Sequence, residues 1–288
     1  MNIITLSKKQ FEKLTPLTLS KEVINTEGKI YKFTYKRQEK VLKKLFWQSG
    51  NIFANKLYTL EMLDTNHELL PHNFCIPDYL IAINHQIAGF TTPKIAGTNL
   101  ATVLYDKRFT LQEQLFYLKK VGEILQEMKW IRTYTELTDF YINDLHEANF
   151  IADLEKKTLS VVDLDSSKIG SNLSFPARYL TSISLLNNIK GKYSIVNNIN
   201  QPGYVIADEN SDLYCYNIMI LNYLRGENIN NLSLEEFYNF LNHLDIIGIN
   251  KELLDIFYKI LSPSKNENPY LLLDSITEKH LYKVRNKL

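Results

Sequence analysis

Cysteine is nearly absent: Cys75 and Cys215 are the only two in 288 residues. They lie far apart and match no metal or redox spacing. That excludes a disulfide scaffold and a thiolate zinc site, and it suits reduced core residues of a cytoplasmic protein. One-sided charge is missing too, with 33 basic residues against 32 acidic ones and a net charge of +1. Nothing in that balance favours nucleic acid as the main partner. No run approaches the roughly 18 uncharged apolar residues of a membrane span, so no membrane partner is expected. The first residues, MNIITLSKKQ, place lysines after a short apolar run, the reverse of a secretory leader.

What is present suits a globular chain. A hydrophobic content of 45% over this length leaves room for one large domain or two lobes around a buried core. The first third reads as strands: EVIN (22–25), KIYKFTY (29–35) and KVLKKLF (40–46), with Thr26-Glu27-Gly28 as a turn. Phe53, Leu57, Leu60 and Leu63 then recur at helical spacing, predicting a helix over 51–64. Strands near 79–84 and 87–92 flank His85-Gln86, and PKIAGTNL (93–100) is a connector. Beyond it the pattern turns helical. Thr110-Leu-Gln-Glu113 and Ser233-x-x-Glu236 have the form of capping boxes, and helices are expected after each, at 212–225 and at 250–261. Between them lie short strands at 150–153 and 158–165 and a polar stretch, 166–203, expected at the surface. The expectation is an α+β protein with a β-rich part (1–95) and a larger, mainly helical part (96–288).

YINDLHEANF (141–150) fits neither periodicity: Asp144, His146 and Asn149 interrupt two apolar runs. Asp163 follows the strongly apolar LSVV, where a carboxylate projects from the end of a buried strand. Alone, Asp144 and Asn149 read equally well as turn residues. Together, Asn149 and Asp163 offer the few hard oxygen ligands that Mg²⁺ takes while it shares its other positions with phosphates. A carboxylate beside them, Asp144, could accept a hydroxyl proton.

D-L-H-E-A-N-F followed by V-V-D-L-D resembles the catalytic loop and metal-binding aspartate of the protein-kinase-like superfamily. It is especially similar to bacterial Ser/Thr kinase-like proteins and aminoglycoside or choline phosphotransferases. The resemblance covers roughly residues 22–275 and implies a bilobal fold, with a small antiparallel β-rich N-lobe and a larger helical C-lobe. It implies an ATP- and Mg²⁺-dependent kinase in which Asp144 orients or deprotonates the acceptor hydroxyl and Asn149 and Asp163 hold Mg²⁺. Lys43 would contact the α/β-phosphates, with Lys44 as the alternative, and Glu61 on the next helix would hold that lysine. Backbone groups around Pro93–Ile95 would face the adenine, and Asp212 would begin a buried central helix. The acceptor would be a protein Ser/Thr or a small alcohol.

The sequence also departs from that pattern. The glycine-rich phosphate loop is reduced to Gly28. Asn143 stands where an arginine is usual, which argues against control by a phosphorylated loop, and D-L-D replaces D-F-G. A nucleotide-binding interaction module without turnover, or transfer of a nucleotidyl group, stays open. His146 is expected to support its loop, His67 and His72 to lie in a solvated turn, and Tyr214, Tyr216 and Tyr223 to pack in the core.

Overall fold

The computed structural model describes residues 1–17, 27–170, 177–178, 195–198, 201–205 and 207–286. The strand expected at 22–25 lies outside them. The chain is mixed α+β, with a five-stranded sheet formed before residue 94 and most of the helices after residue 99. The sheet runs in the order β1 (Asn2–Leu6), β4 (Tyr79–Ile83), β5 (Gln86–Pro93), β3 (Gln38–Leu45), β2 (Gly28–Tyr35). Two of its hairpins turn on two residues in the left-handed region, Lys36-Arg37 (φ 48° and 66°) and Asn84-His85 (φ 50° and 66°). That geometry matches the twist of the flanking strands.

The sequence suggested an antiparallel sheet, but β1 pairs in parallel with β4, so the sheet is mixed. β1 is the edge strand of the sheet, with Ile4 and Leu6 buried on one face while Asn2, Ile3 and Thr5 stay exposed. A short helix, α1 (Lys8–Glu12), follows behind a Ser7–Gln10 capping box.

The period of two assigns each strand residue to a face. Leu42, Tyr31, Phe33 and Ile81 pack with Ile4, Leu6 and Phe11 on one side. Leu45 and Phe90 pack on the other, against Leu60, Leu57 and Phe53 of α2 (Gly50–Thr65). Lys43 therefore shares the α2 face, and Lys44 points the opposite way, its ammonium 5.0 Å from the Phe11 ring.

Beyond the connector, β6 (Thr98–Asn99), β8 (Phe150–Asp153) and β9 (Thr158–Val161) form a second small sheet. It is bound to the first part through Cys75 N–H to the Val161 carbonyl (2.8 Å) and Val161 N–H to the Asn73 carbonyl (2.8 Å). α3 (Leu100–Tyr105) leads to α4 (Leu111–Tyr134), whose Thr110–Glu113 capping box is formed. β7 (Phe140–Tyr141) pairs with β10 (Lys168–Ile169). β11 (Ala177–Arg178), β12 (Ile195–Asn198) and β13 (Gln201–Val205) form a fourth sheet. Four helices follow: α5 (Glu209–Arg225), α6 (Leu234–Ile246), α7 (Lys251–Lys259) and α8 (Glu278–Arg285). Tyr216 and Tyr223 are fully buried in α5, and their hydroxyls donate to the Leu118 carbonyl (2.8 Å) and Gln114 Oε1 (2.6 Å) of α4.

Two expectations shift here. The strand expected to reach residue 165 stops at Val161, because Asp163 turns left-handed (φ 61°) and Leu164–Ser166 coil into a 3₁₀ turn. The stretch from 166 is not all surface either, since Ser166, Ser167 and Ile169 are buried, and residues 195–198 and 201–205 are paired strands rather than an irregular segment. Among the described residues no helix is long and apolar enough to cross a membrane.

Candidate functional site

The β7–β10 ladder draws the segment before Asp144 against the segment after Asp163, and the loop between is held by a buried carboxylate. Asp212, in the first turn of α5, accepts the backbone N–H of Ile142 and of Asn143, both at 2.9 Å. Asn143 sits in the left-handed region (φ 67°), which non-glycine residues rarely adopt. Its side chain donates to the Ser166 carbonyl (2.8 Å), tying the two segments directly. Asn143 and Asp163 are thus both left-handed, and backbone strain of this kind gathers where the fold over-determines a functional loop.

Within the loop, the amide nitrogen of Asn149 donates to the carbonyl (2.9 Å) and the Oδ2 (3.2 Å) of Asp144. With its nitrogen engaged, the amide oxygen of Asn149 remains as an acceptor. The Val162 N–H donates to the Asn149 carbonyl (2.9 Å), which brings the residue before Asp163 alongside Asn149. His146 accepts from Ala148 N–H through Nδ1 (3.3 Å) and presents Nε2 3.6 Å from Asp144 Oδ1. It supports the loop as expected, and it is also the charge partner of Asp144.

Opposite this loop lies a cluster of buried charge. Lys43 Nζ is 2.7 Å from Asp163 Oδ1, 2.9 Å from Asp165 Oδ1 and 3.6 Å from Glu27 Oε2. Lys56, one face of α2 turned inward, is 2.8 Å from both Asp165 Oδ2 and Glu27 Oε2. Three carboxylates surround two ammonium groups here, and Asp163 is the member that reaches solvent most, about one-third exposed.

Burial opposes charge on both lysines. For Lys43 the carboxylates of Asp163, Asp165 and Glu27 outweigh it and hold the ammonium well above its ordinary value. Lys56 is raised in the same way, burial being overcome chiefly by Asp165. Asp165 is also penalised by burial, but with a lysine on each oxygen it is held below the usual carboxylate range. Asp163 is pushed up, first by burial and then by the neighbouring Asp165 anion, with Lys43 pulling the other way. A second positive group at Asp163 is therefore electrostatically welcome.

No cluster of three or more His, Cys, Asp or Glu side chains fit to hold a metal ion occurs among the described residues. The donors available are of another kind: the Asn149 amide oxygen, and the Asp163 carboxylate one residue beyond the Val162 N–H that bonds the Asn149 carbonyl. Two hard oxygens, one on a carboxylate that solvent reaches, suit Mg²⁺, which takes few protein ligands.

The structure thus brings Lys43, Asp144, Asn149 and Asp163 together, and it separates the other expected residues from them. Lys44 is on the wrong face of β3. Glu61 is exposed and makes no ion pair with Lys43. It lies about 140° around the helix from Lys56, the α2 residue that does face the cluster. The correction is one of charge polarity: the helix supplies a lysine, and the carboxylate comes from the turn before β2. Gly28 opens β2 next to Glu27, where a Cβ would come within 2.6 Å of the Lys44 carbonyl oxygen. Pro93 is exposed, its carbonyl accepting the Cys75 thiol (3.3 Å), and Ile95 is half-buried; neither enters the cluster.

Glu27, Lys56 and Asp165 were not singled out from sequence. Lys56 carried a signal, being a charged residue on the apolar stripe of α2 between Phe53 and Leu60. Comparison with known proteins returns no matching family and no matching curated relative.

Proposed function

We propose that the chain is an ATP- and Mg²⁺-dependent phosphotransferase that moves the γ-phosphoryl group to an alcohol, on a bilobal protein-kinase-like fold. In this reading residues 1–95 form the nucleotide-binding lobe and 96–288 the catalytic lobe. The observation that carries it is the meeting of Lys43 from β3 with Asp163 after β9 (2.7 Å), beside a loop that joins Asp144 to Asn149. Lysine, metal-binding carboxylate and amide, and a second carboxylate are the parts that phosphoryl transfer needs, since the protein's task is positioning and charge neutralisation.

Asn149 and Asp163 would hold the metal, which supplies charge neutralisation to the phosphates. Lys43 binds phosphate oxygens, and Asp165 keeps its ammonium charged and aimed. Asp144, nearly half exposed and with its carboxylate ionised, accepts the acceptor hydroxyl's proton. Asp212 fixes the loop backbone so that this carboxylate does not drift. The acceptor is proposed to be a protein Ser or Thr, with a small alcohol as the alternative.

Incubation of the chain with γ-labelled ATP and Mg²⁺ tests the reading. Label on protein, including the chain itself, supports a protein acceptor, and label only on an added amino alcohol supports the small-molecule one. No transfer to either, with MgATP still bound, favours the second reading, a nucleotide-binding module. That reading is supported by how fully Lys43 is already paired and by the reduction of the phosphate loop to Gly28.

A further inference from the structure

We propose that Lys43 and Lys56 together form a two-lysine clamp for nucleotide phosphates, and that Glu27 occupies the clamp until a phosphate displaces it. This rests on the phosphotransferase reading and deepens it by naming the groups that replace a glycine-rich phosphate cradle.

Four side chains close a ring: Lys43 to Asp165 Oδ1 (2.9 Å), Asp165 Oδ2 to Lys56 (2.8 Å), Lys56 to Glu27 Oε2 (2.8 Å), and Glu27 back to Lys43 (3.6 Å). The two carboxylates in it are not equivalent. Asp165 is wholly buried, with an ammonium on each oxygen, and anchors both lysines from behind. Glu27 is the ring member with most access to solvent, its side chain about a quarter exposed. It gathers everything on a single oxygen: Lys43, Lys56 and the Ser166 hydroxyl (3.3 Å) all converge on Oε2. One anionic oxygen facing two ammonium groups and a hydroxyl is the environment of a bound phosphate oxygen.

The location agrees. Glu27 precedes Gly28 at the start of β2, where backbone N–H groups of a glycine-rich turn would otherwise take the phosphates. Lys43 and Lys56 are buried side chains of a strand and a helix, whereas the Glu27 side chain is about a quarter exposed just before β2 and is the one solvent can draw out of the ring. A polyphosphate carries more charge and more acceptor oxygens than one carboxylate, so it competes favourably for the same donors. If Lys56 only bolted α2 to the 164–166 turn, Glu27 would be a stabilising partner and its loss would not help a ligand bind.

The test is a calorimetric titration of MgATP and of magnesium tripolyphosphate into the native chain, Glu27→Gln, Lys56→Gln and Lys43→Gln, with melting curves as a folding control. Glu27→Gln is expected to bind both about tenfold more tightly, and Lys56→Gln about tenfold more weakly. Unchanged or weaker binding by a folded Glu27→Gln overturns the clamp. If Lys43→Gln still loses MgATP in that case, the phosphotransferase reading survives it. If the native chain binds neither probe, both fall. Should Lys56→Gln fail to fold, Glu27→Gln alone decides.

Discussion

Lys43 Nζ and Asp163 Oδ1 lie 2.7 Å apart although 120 residues separate them in sequence. The contact crosses from β3 to the turn after β9 and binds the sheet-bearing part to the part that carries Asp144. It also sets an electrostatic tension. Asp163 has one lysine and an anionic neighbour, while Asp165 has two lysines. The less compensated carboxylate is the more exposed one, which places the unmet demand for positive charge where solvent reaches the cluster.

Asp163→Ala should therefore abolish phosphotransfer at little cost to the fold. Burial and Asp165 already disfavour the Asp163 anion, so its removal relieves repulsion, and Lys43 keeps Asp165 and Glu27. The expected loss in kcat/KM is about a thousandfold or more, with a melting temperature within a few degrees of native. Unchanged transfer by labelled ATP would sink the metal-ligand assignment.

The face alternation of β3 gives a sharper contrast. Lys43→Ala leaves Asp165 and Glu27 short of a buried partner and should cost about 3–5 kcal/mol, besides losing nucleotide binding. Lys44→Ala loses only its contact with the Phe11 ring, about 0.5–1 kcal/mol, and leaves binding intact. Glu61→Ala should change stability by less than about 0.5 kcal/mol. Denaturant midpoints and MgATP titrations of the three variants check the order. A Glu61→Ala defect as large as that of Lys43→Ala would restore the helix glutamate to the site.

These contrasts show how far the sequence could be read. Asp144, Asn149 and Asp163 were legible because loop and strand-end motifs are local, and Thr110 and Ser233 because a capping box spans four residues. The partners of Lys43 were not, since they come from a turn, a helix and a strand end, and no local pattern tells which of Lys56 and Glu61 faces inward. Resemblance supplied a glutamate on the helix, and the opposite polarity was found there. β1 escaped for a similar reason: its parallel partner β4 is more than 70 residues away, and an edge strand of five residues leaves a weak alternation.

Asp212 should make stability fall with rising pH. Burial lifts its carboxyl to about 6 against the two backbone N–H groups it accepts, from an ordinary 3.8. Between about pH 4 and pH 6 the folded chain keeps a proton that the unfolded chain has released. Stability from this group is thus full below about pH 4 and lost as pH rises through about 6, for a total of about 3 kcal/mol. Asp212→Asn cannot titrate and should remove this component. Urea midpoints measured from pH 4 to pH 7 check it, read as the difference between native and variant. Parallel curves for the two would contradict it.

The pairing of Asp144 with His146 predicts a shift in the pH profile of activity. Burial would raise Asp144, but the imidazole of His146 3.6 Å away, then the Lys43 charge and the Asn149 amide, bring it below its ordinary value. His146 is raised in turn: burial is outweighed by Asp144, with Glu147 and Asp163 adding to it. Asp144 must be ionised to accept a proton, so the acidic limb of kcat/KM lies below the usual carboxylate range in the native chain. His146→Ala removes the largest charge-stabilising partner and should move that limb to higher pH. Activity near neutrality should then be nearly unchanged. The Asp144 side chain is nearly half exposed, so added salt should narrow the gap between the two profiles. A limb that stays in place, with activity lost equally at every pH, would instead make His146 a proton carrier or a structural support and remove it as the partner that tunes Asp144.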